Sequence, residues 1–212
     1  MSQITLNIVL TISLLCFCNS SIANTSYIPK EYQTPPNHLT PQQKDLLFSK
    51  NFLIIVDSKT QTLHLYDSNR ILLKSYKVST SKRGLGQLIG SLKTPTGLHI
   101  ITEKIGNNVP NYGIFRKRKF TKAVWKKNNS HCKKGFIVTR ILRLKGLEPG
   151  VNCGKNDRGQ IIDSFHRGIY IHGTTMEWKL GTPATIGCVH LSSKDIVELF
   201  DLVPVGSLVM IY

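Results

Sequence analysis

Short runs of β-branched and aliphatic residues, bounded by turn-forming residues, are the feature that most constrains the fold of this chain. Their length and composition favour β-strands over helices. The segment Asp67-Ser68-Asn69 separates two of them and indicates a β-hairpin. A mainly β domain is therefore expected, with predicted strands over residues 52–56, 62–66, 71–78, 98–102, 136–142, 168–172 and 208–212.

One segment near the C-terminus has clear helical periodicity. Ser192 is a suitable N-cap residue, and Asp195 follows three positions later. Pro204 and Gly206 are expected to end the helix. Its apolar face is predicted to consist of Ile196, Leu199, Phe200 and Val203.

The N-terminal residues resemble an export signal. No charged side chain precedes Lys30, and an apolar run is followed by small residues at Ser21 and Ala23, the −3 and −1 positions of a cleavage site. The run is too short and too polar for a membrane-spanning helix. We predict a signal peptide over residues 1–23, with an uncleaved anchor as the alternative, and a location in the periplasm or cell envelope.

Residues 24–50 contain four of the nine prolines and few large apolar residues. This composition predicts a linker or an extended arm. The folded domain is expected to cover residues 51–212, because the first strong strand pattern begins there.

The cysteines favour an oxidising compartment with one free thiol. Signal cleavage would remove two of the five cysteines and leave Cys132, Cys153 and Cys188. Cys132 and Cys153 lie in the same polar region and are predicted to form a disulfide, with two unpaired thiols as the alternative. Cys188 is then the free thiol.

The chain is strongly basic, with 28 Lys and Arg, 12 Asp and Glu, and a net charge of +16. The densest basic run spans residues 116–119, inside a weakly patterned region (106–159) that is expected to be a long loop acting as a lid or binding wall. A positive field favours anionic partners, and export makes cell-envelope polymers a better candidate than nucleic acid. A solvated surface is the alternative.

His172 and Cys188 lie 16 positions apart, each beside a glycine. His172 is at the end of a predicted strand, and Cys188 follows Gly187 in a predicted tight turn. A thiol becomes a strong nucleophile beside a base, and converging N–H groups of such a turn stabilise an oxyanion. The pair therefore suggests covalent acyl transfer, with a buried structural cysteine as the alternative.

Four separated stretches make the chain similar to a known family. It resembles the L,D-transpeptidase catalytic domain (YkuD-type) family of bacterial cell-wall enzymes over residues 51–212. The resemblance implies a β-sandwich-like domain with one clear helix after the catalytic cysteine. It also implies a Cys188–His172 pair whose third member is the backbone carbonyl of Gly173. The stretches are residues 93–97, 147–152, 169–174 and 185–189.

The resemblance also implies a mechanism. The Cys188 thiolate attacks the third residue of a peptidoglycan tetrapeptide stem, and D-alanine leaves with a proton from His172. The N–H groups of Ile186, Gly187 and Cys188 hold the oxyanion. An amine of a second stem or of a lipoprotein lysine then takes the acyl group, whereas water as acceptor would make the protein a carboxypeptidase. No metal or organic cofactor is expected, and the protein is expected to be a monomer.

The chain departs from the family pattern at two positions. Ile186 stands where family members commonly have His, and His190 stands where they commonly have Arg or Asn. We hypothesise that His190 is a weaker, pH-dependent substrate contact. Further candidate substrate contacts are Thr185, Arg167 and Tyr170.

Three other interpretations remain open at this point. A sortase-like transpeptidase also orders His before Cys, but no arginine follows Cys188 here. A basic wall-binding protein with a decayed site is suggested by Ile186 and His190. A zinc site built from Cys132, Cys153, Cys188 and nearby histidines lacks close ligand pairs.

Overall fold

The computed structural model describes residues 37, 39–48, 51–126 and 135–212. The predicted signal peptide lies outside these residues, as does Cys132, so cleavage and the Cys132–Cys153 disulfide stay predictions. Cys153 forms no disulfide with any residue of the described part.

In the described residues, ten strands form one hydrogen-bonded sheet, in which β3, β2, β1, β10, β4, β7, β5 and β6 are successive neighbours and β8 and β9 branch from β7. The strands are β1 (Leu53–Asp57), β2 (Thr62–Tyr66), β3 (Leu72–Lys77), β4 (Gly97–Ile105), β5 (Gly113–Arg116), β6 (Lys119–Val124), β7 (Ile137–Gly146), β8 (Tyr170–Thr174), β9 (Val189–Leu191) and β10 (Leu208–Ile211).

The long strand β7 organises the sheet around the site. It pairs with β4 and β5 along one edge and with β8 along the other. β8 and β9 then run parallel, which requires a crossover and brings distant residues side by side. β1 and β10 are also parallel, and the other pairs are antiparallel.

The predicted helix is α2 (Ser193–Leu202), and its cap is the expected one. The Ser192 hydroxyl accepts a hydrogen bond from the Asp195 N–H at 3.0 Å. The apolar face packs against β7 and β8 in the main core. The prediction of a mainly β domain with one clear helix after the cysteine is confirmed.

Strand β1 is buried on both faces, which explains its unbroken apolar sequence. Ile54 and Val56 belong to the core beneath α2. Leu53 and Ile55 face a second cluster on the opposite side of the sheet. That second cluster also receives Leu39, just before the N-terminal helix.

A short helix, α1 (Pro41–Phe48), lies within the segment expected to be a linker or extended arm. Thr40 and Gln43 form a reciprocal capping box, with N–H to side-chain oxygen distances of 2.8 and 3.3 Å. Gln43 Nε2 also donates to the Leu147 carbonyl at 2.6 Å, and Leu46 packs on the second core cluster. The cap signal was present in the sequence, but the prolines favoured an extended interpretation. The domain boundaries themselves stay predictions.

The basic run of residues 116–119 forms a hairpin turn where a long loop was expected. Lys117 and Arg118 connect β5 to β6 and have φ values of 49° and 66°. Two consecutive positive φ values are the signature of a type I′ turn, normally built from Asn and Gly. The hairpin was missed because two basic residues occupy these positions.

Within the described residues, no helix is long and apolar enough to cross a membrane. In the same part of the chain, no three His, Cys, Asp or Glu side chains come together as metal ligands.

Candidate active site

Parallel pairing of β8 and β9 brings the predicted catalytic residues together. His172 and Gly173 lie on β8, and His190 lies opposite His172 on β9. Cys188 directly precedes β9, at the end of the segment that returns from β8. His172, Cys188 and His190 all line one cavity of about 580 Å³.

The imidazole of His172 is buried and held in one orientation. Its Nδ1 lies 2.9 Å from the Gly173 carbonyl oxygen. Because a carbonyl only accepts, Nδ1 carries the proton and Nε2 is left as the acceptor. Burial lowers the pKa of His172 to about 4, and the hydrogen bond to Gly173 opposes this shift. The third partner implied by the resemblance is thus in contact with the histidine.

Gly173 is itself required by close packing of β8 against β7. A Cβ atom at this position would lie 2.7 Å from the Val138 carbonyl oxygen. Any other residue would therefore push the two strands apart and displace the carbonyl that orients His172.

The Cys188 thiol lies in buried surroundings beside the cluster formed by Phe115, Ile141 and Tyr170. Its Sγ donates to the Gly168 carbonyl at 3.6 Å. Burial raises the pKa of the Cys188 thiol to about 11, while the Tyr170 N–H and the charge of Arg167 oppose the rise.

These two pKa shifts define the resting state of the pair. Between about pH 5 and pH 9, the thiol of Cys188 is protonated and the imidazole of His172 is neutral. The resemblance implied a thiolate as the attacking species, without fixing the resting state of the thiol. Burial of both groups disfavours a separated ion pair, so the thiolate forms only as its proton moves to a base.

The Thr185 hydroxyl closes the turn that carries Cys188. It donates to the Cys188 carbonyl at 2.7 Å and accepts from the Gly187 N–H at 3.2 Å. Gly187 has a φ of 134°, a conformation that side-chain-bearing residues rarely adopt. Thr185 was predicted as a substrate contact, but its hydroxyl is engaged within the turn.

The same hydrogen bonds show which of the predicted oxyanion donors are already engaged within the protein. The Gly187 N–H points at the Thr185 hydroxyl, whereas the N–H groups of Ile186 and Cys188 donate no hydrogen bond within the described part of the chain. Two of the three predicted donors are therefore available to a substrate oxygen.

The segment of residues 79–82 fixes the Thr185 turn from the side. The Thr185 N–H donates to the Thr80 carbonyl at 2.9 Å, and the Lys82 N–H donates to the Thr185 carbonyl at 3.1 Å. Thr94, from the first of the four similar stretches, accepts from the Ser81 N–H at 2.9 Å and is fully buried. The stretch of residues 93–97 is therefore linked to the Cys188 turn through two sets of hydrogen bonds. Thr94 bonds to the segment of residues 79–82, and that segment bonds to Thr185.

The stretch of residues 147–152 forms hydrogen bonds with residues 96–98, at the end of the stretch of residues 93–97. Asn152 donates to the carbonyls of Thr96 and Leu98 at 2.9 and 3.1 Å. The buried Glu148 carboxylate accepts from the Leu98 N–H. Gly97 has a φ of 91°, and a Cβ there would lie 2.5 Å from that carboxylate. The stretches that carried the resemblance thus form one continuous support for the site.

The comparison with protein families decides the classification. Residues 51–211 match the model of the L,D-transpeptidase catalytic domain (YkuD). The chain belongs to this family. The sortase-like interpretation is left without support, and no curated protein matches the chain.

Solved L,D-transpeptidases are similar to this chain at low identity. One from Mycobacterium smegmatis is 14% identical with a TM-score of 0.45, covering 76% of this chain and 58% of its own. L,D-transpeptidase 3 from Mycobacterium tuberculosis, in complex with a faropenem-derived adduct, is 12% identical with a TM-score of 0.43, covering 76% and 59%. A mutant Enterococcus faecium L,D-transpeptidase is 12% identical with a TM-score of 0.47, covering 77% and 50%. This chain thus spans less than two thirds of the length of these proteins.

His190 contacts His172 in this L,D-transpeptidase domain. The two ring centroids lie 4.5 Å apart, and the rings are tilted by 56°. Burial, followed by the proximity of His172, lowers the pKa of His190 well below its usual range. A neutral imidazole therefore stands where an arginine is common, and its role as a substrate contact stays a prediction.

Ile186 lies at the cavity, whereas the predicted substrate contact Arg167 is bonded to a neighbouring loop. The Ile186 side chain is 64% exposed and lines the cavity. Arg167 donates to the carbonyls of Gly86, Gln87 and Lys93 at 2.6 to 3.1 Å. The guanidinium thereby ties the loop of residues 86–93 to the start of β8, and a substrate contact of Arg167 stays a prediction.

Tyr170 is buried on β8, outside the lining of the cavity. Its hydroxyl accepts from Arg118 Nη1 at 3.2 Å, which joins β8 to the basic hairpin. The Tyr170 contribution to the site is its backbone N–H beside the Cys188 sulfur. The role of Tyr170 as a substrate contact stays a prediction.

Proposed function

We propose that this protein is an exported peptidoglycan L,D-transpeptidase in which Cys188 carries the acyl group. The observation that supports this most is the His172 imidazole, whose Nδ1–H is held by the Gly173 carbonyl in the cavity that also contains the Cys188 thiol. A neutral, oriented imidazole beside a thiol is the arrangement needed for general-base activation of a nucleophile.

The first half-reaction forms a thioester. The Cys188 thiol leaves the Gly168 carbonyl, gives its proton to His172 Nε2, and its sulfur attacks the carbonyl carbon of the third stem residue. The carbon–nitrogen bond to D-alanine then breaks, and the leaving amine takes the proton from His172. The cysteine is thereby acylated, and the imidazole returns to its neutral state.

Negative charge on the attacked carbonyl oxygen is stabilised by backbone donors. The N–H groups of Ile186 and Cys188 are the candidates, because the Gly187 N–H is already bonded to Thr185. Such donors act where water is excluded, and removing one typically costs a factor of about 10² to 10³ in rate. The Thr185 hydroxyl helps to keep the turn in this conformation.

The second half-reaction transfers the acyl group to an amine. The side-chain amine of a second stem peptide loses a proton to His172 and attacks the thioester, which gives a 3–3 cross-link and regenerates the thiol. A lipoprotein lysine would be used in the same way. The exposed apolar side chain of Ile186 at the cavity mouth is available for contact with the acceptor.

The strong positive charge supports a location on an anionic envelope polymer. The exposed basic turn of the β5–β6 hairpin presents Arg116, Lys117, Arg118 and Lys119. Such a surface concentrates an enzyme near acidic wall components through long-range attraction.

The test is incubation with purified tetrapeptide muropeptides, followed by separation and mass analysis of the products. A cross-linked dimer with release of D-alanine supports transpeptidation, and a tripeptide product supports an L,D-carboxypeptidase. Cys188→Ser is the control and is expected to form neither product. If the wild-type protein leaves the muropeptides unchanged, the proposal is overturned.

The alternative of a wall-binding protein with a decayed site is tested by acylation with a carbapenem. The reduced protein is treated with imipenem, and its intact mass is measured. We expect one acyl adduct, mapped to Cys188 and absent from Cys188→Ala. A protein that binds peptidoglycan but gains no adduct would favour the binding interpretation.

A further inference from the structure

We propose that Lys82 and Lys179 form a carboxylate-binding subsite that draws the anionic acyl donor into the cavity. This inference rests on the proposed function, because it names how the donor peptide of that reaction is recognised. It assigns a role to two residues outside the four stretches that carried the family resemblance.

The charge of the cavity lining is the first observation. Among the described lining residues, the only ones with formal charge are Lys82 and Lys179, and none is an aspartate or glutamate. The two lining histidines, His172 and His190, are held neutral by burial. The formal charge of the described cavity lining is therefore positive, although the Cys188 thiol itself is uncharged at rest.

The two lysines start from fixed backbone positions. The Lys82 N–H donates to the Thr185 carbonyl, which places Lys82 beside the turn that carries Cys188. Lys179 ends the short 3₁₀ helix Glu177–Lys179, and its carbonyl accepts from the Thr182 hydroxyl at 2.8 Å. Long flexible ammonium groups on rigid attachment points can reach a ligand carboxylate without reorganising the cavity.

Both ammonium groups lack acidic partners in the described part of the chain. Neither lysine forms an ion pair there, and Lys179 Nζ lies 4.8 Å from the centre of the Trp178 ring. The nearest acid in sequence, Glu177, accepts from the Tyr112 hydroxyl and from the Ser193 N–H. Within the described residues, the two positive charges are thus not neutralised by an ion pair.

This arrangement suits the chemistry of the donor. A stem tetrapeptide ends in a carboxylate close to the scissile bond, and a neutral His190 is a poor partner for it at neutral pH. Two cations at the cavity supply the attraction that an arginine would otherwise provide. Each is partly exposed, so its contribution corresponds to a modest factor in binding.

The test compares a charged and a neutral alkylating agent at Cys188. Iodoacetate and iodoacetamide both replace iodide by the Cys188 sulfur, but only iodoacetate carries a carboxylate. The rate ratio of iodoacetate to iodoacetamide is measured by peptide mass spectrometry at Cys188, with the uncharged thiol 2-mercaptoethanol as the reference. We expect a higher ratio for the protein than for 2-mercaptoethanol, and a ratio that falls as salt rises from about 0.02 M to about 0.5 M.

Lys82→Gln and Lys179→Gln are each expected to lower this ratio by about threefold, and the double variant by more. Lys145→Gln is the matched control, because Lys145 is exposed on β7 and does not line the cavity. Equal ratios in all of these variants would overturn the subsite. The assay does not depend on turnover, so a protein with the expected ratios but no muropeptide products would contradict only the proposed function.

With muropeptide donors, the same two variants are expected to raise KM by about threefold and to leave kcat nearly unchanged. A loss of kcat with unchanged KM would contradict a binding role. The Lys145→Gln variant is expected to match the wild type in both constants.

Discussion

Residues 172 and 188 form a pair that is uncharged at rest. Burial lowers the pKa of His172 to about 4 and raises the pKa of Cys188 to about 11. The structure therefore describes a neutral thiol at rest and not a stored thiolate; in the proposed reaction this thiol is deprotonated during attack. The pair was predicted from residue type and spacing, and its Gly173 partner was implied by the family resemblance. The burial of the His172 imidazole and of the Cys188 thiol could not be predicted, because it depends on strands that are distant in the sequence.

The pH profile of kcat/KM is expected to be flat from about pH 5 to pH 9. It should fall at lower pH, because protonated His172 cannot accept the thiol proton. In His190→Arg, a permanent positive charge beside His172 disfavours its protonation and moves the acid limb to lower pH. An unchanged profile in this variant would refute an electrostatic role for position 190.

The Thr185 hydroxyl is predicted to hold the Cys188 turn. Thr185→Val removes the bonds to the Cys188 carbonyl and the Gly187 N–H, and we expect kcat/KM to fall about tenfold, equal to ~1.4 kcal/mol. Thr185→Ser keeps the hydroxyl and is expected to restore most of the activity. Thr121→Val is the control, because its hydroxyl also donates to a carbonyl and accepts from an N–H, but on the β5–β6 hairpin and outside the cavity lining. Equal activity of Thr185→Val and wild type would contradict the assignment.

At the scale of elements, local sequence patterns predicted most of the strands and helix α2. The elements that were missed have unusual residues at a turn or at a helix start. The predicted strands and α2 have strong local signals and are present. The β5–β6 hairpin was missed because Lys117 and Arg118 occupy a turn usually built from Asn and Gly. Helix α1 was missed because Pro41 was counted among the prolines that favour a linker, although it occupies the first helical position after Thr40.

Packing between loops could not be derived from local pattern at all. Arg167 was predicted as a substrate contact and Asn152 as part of a motif, yet each also joins segments more than 50 positions apart. Such contacts depend on the complete sheet. The interlocking of residues 93–97 with 147–152 explains why both stretches accompany the catalytic segment.

Asn152 is predicted to stabilise this support. Asn152→Ala removes hydrogen bonds to Thr96 and Leu98 and from the Glu148 N–H, leaving buried backbone groups without partners. We expect the free energy of unfolding to fall by about 3 kcal/mol, measured by urea denaturation. Asn69→Ala, in the exposed β2–β3 turn, should change it by less than about 0.5 kcal/mol. Equal effects of the two substitutions would contradict the structural role.

At the scale of the whole molecule, buried neutral histidines couple stability to pH. His99 is completely buried, with Nδ1 2.9 Å from the Gly97 carbonyl oxygen and Nε2 3.0 Å from the Ser164 hydroxyl. Burial lowers its pKa to about 4, as it does for His172. The fold thus holds several imidazoles that would take up protons only on unfolding.

Stability is therefore expected to fall as pH decreases from about 6.5 towards 4. In that window the unfolded chain binds protons that the native state excludes, so each such histidine contributes a slope of up to ~1.4 kcal/mol per pH unit. Urea midpoints measured between pH 7 and pH 5 should decrease, and His172→Gln should make the dependence shallower. A midpoint independent of pH in the wild type would contradict the burial of these groups.

The central claim is that Cys188 carries the acyl group of the stem peptide. Its most direct test is rapid mixing with a stoichiometric tetrapeptide whose side-chain amine is acetylated, so that no amine acceptor is present, followed by acid quenching, which preserves thioesters. The quenched protein is analysed by intact mass and peptide mapping, together with Cys188→Ala. We predict a tripeptide acyl group on Cys188 in the wild type, matched by released D-alanine, and neither in the variant. Release of D-alanine with an unmodified Cys188, or by the Cys188→Ala variant, would contradict the account.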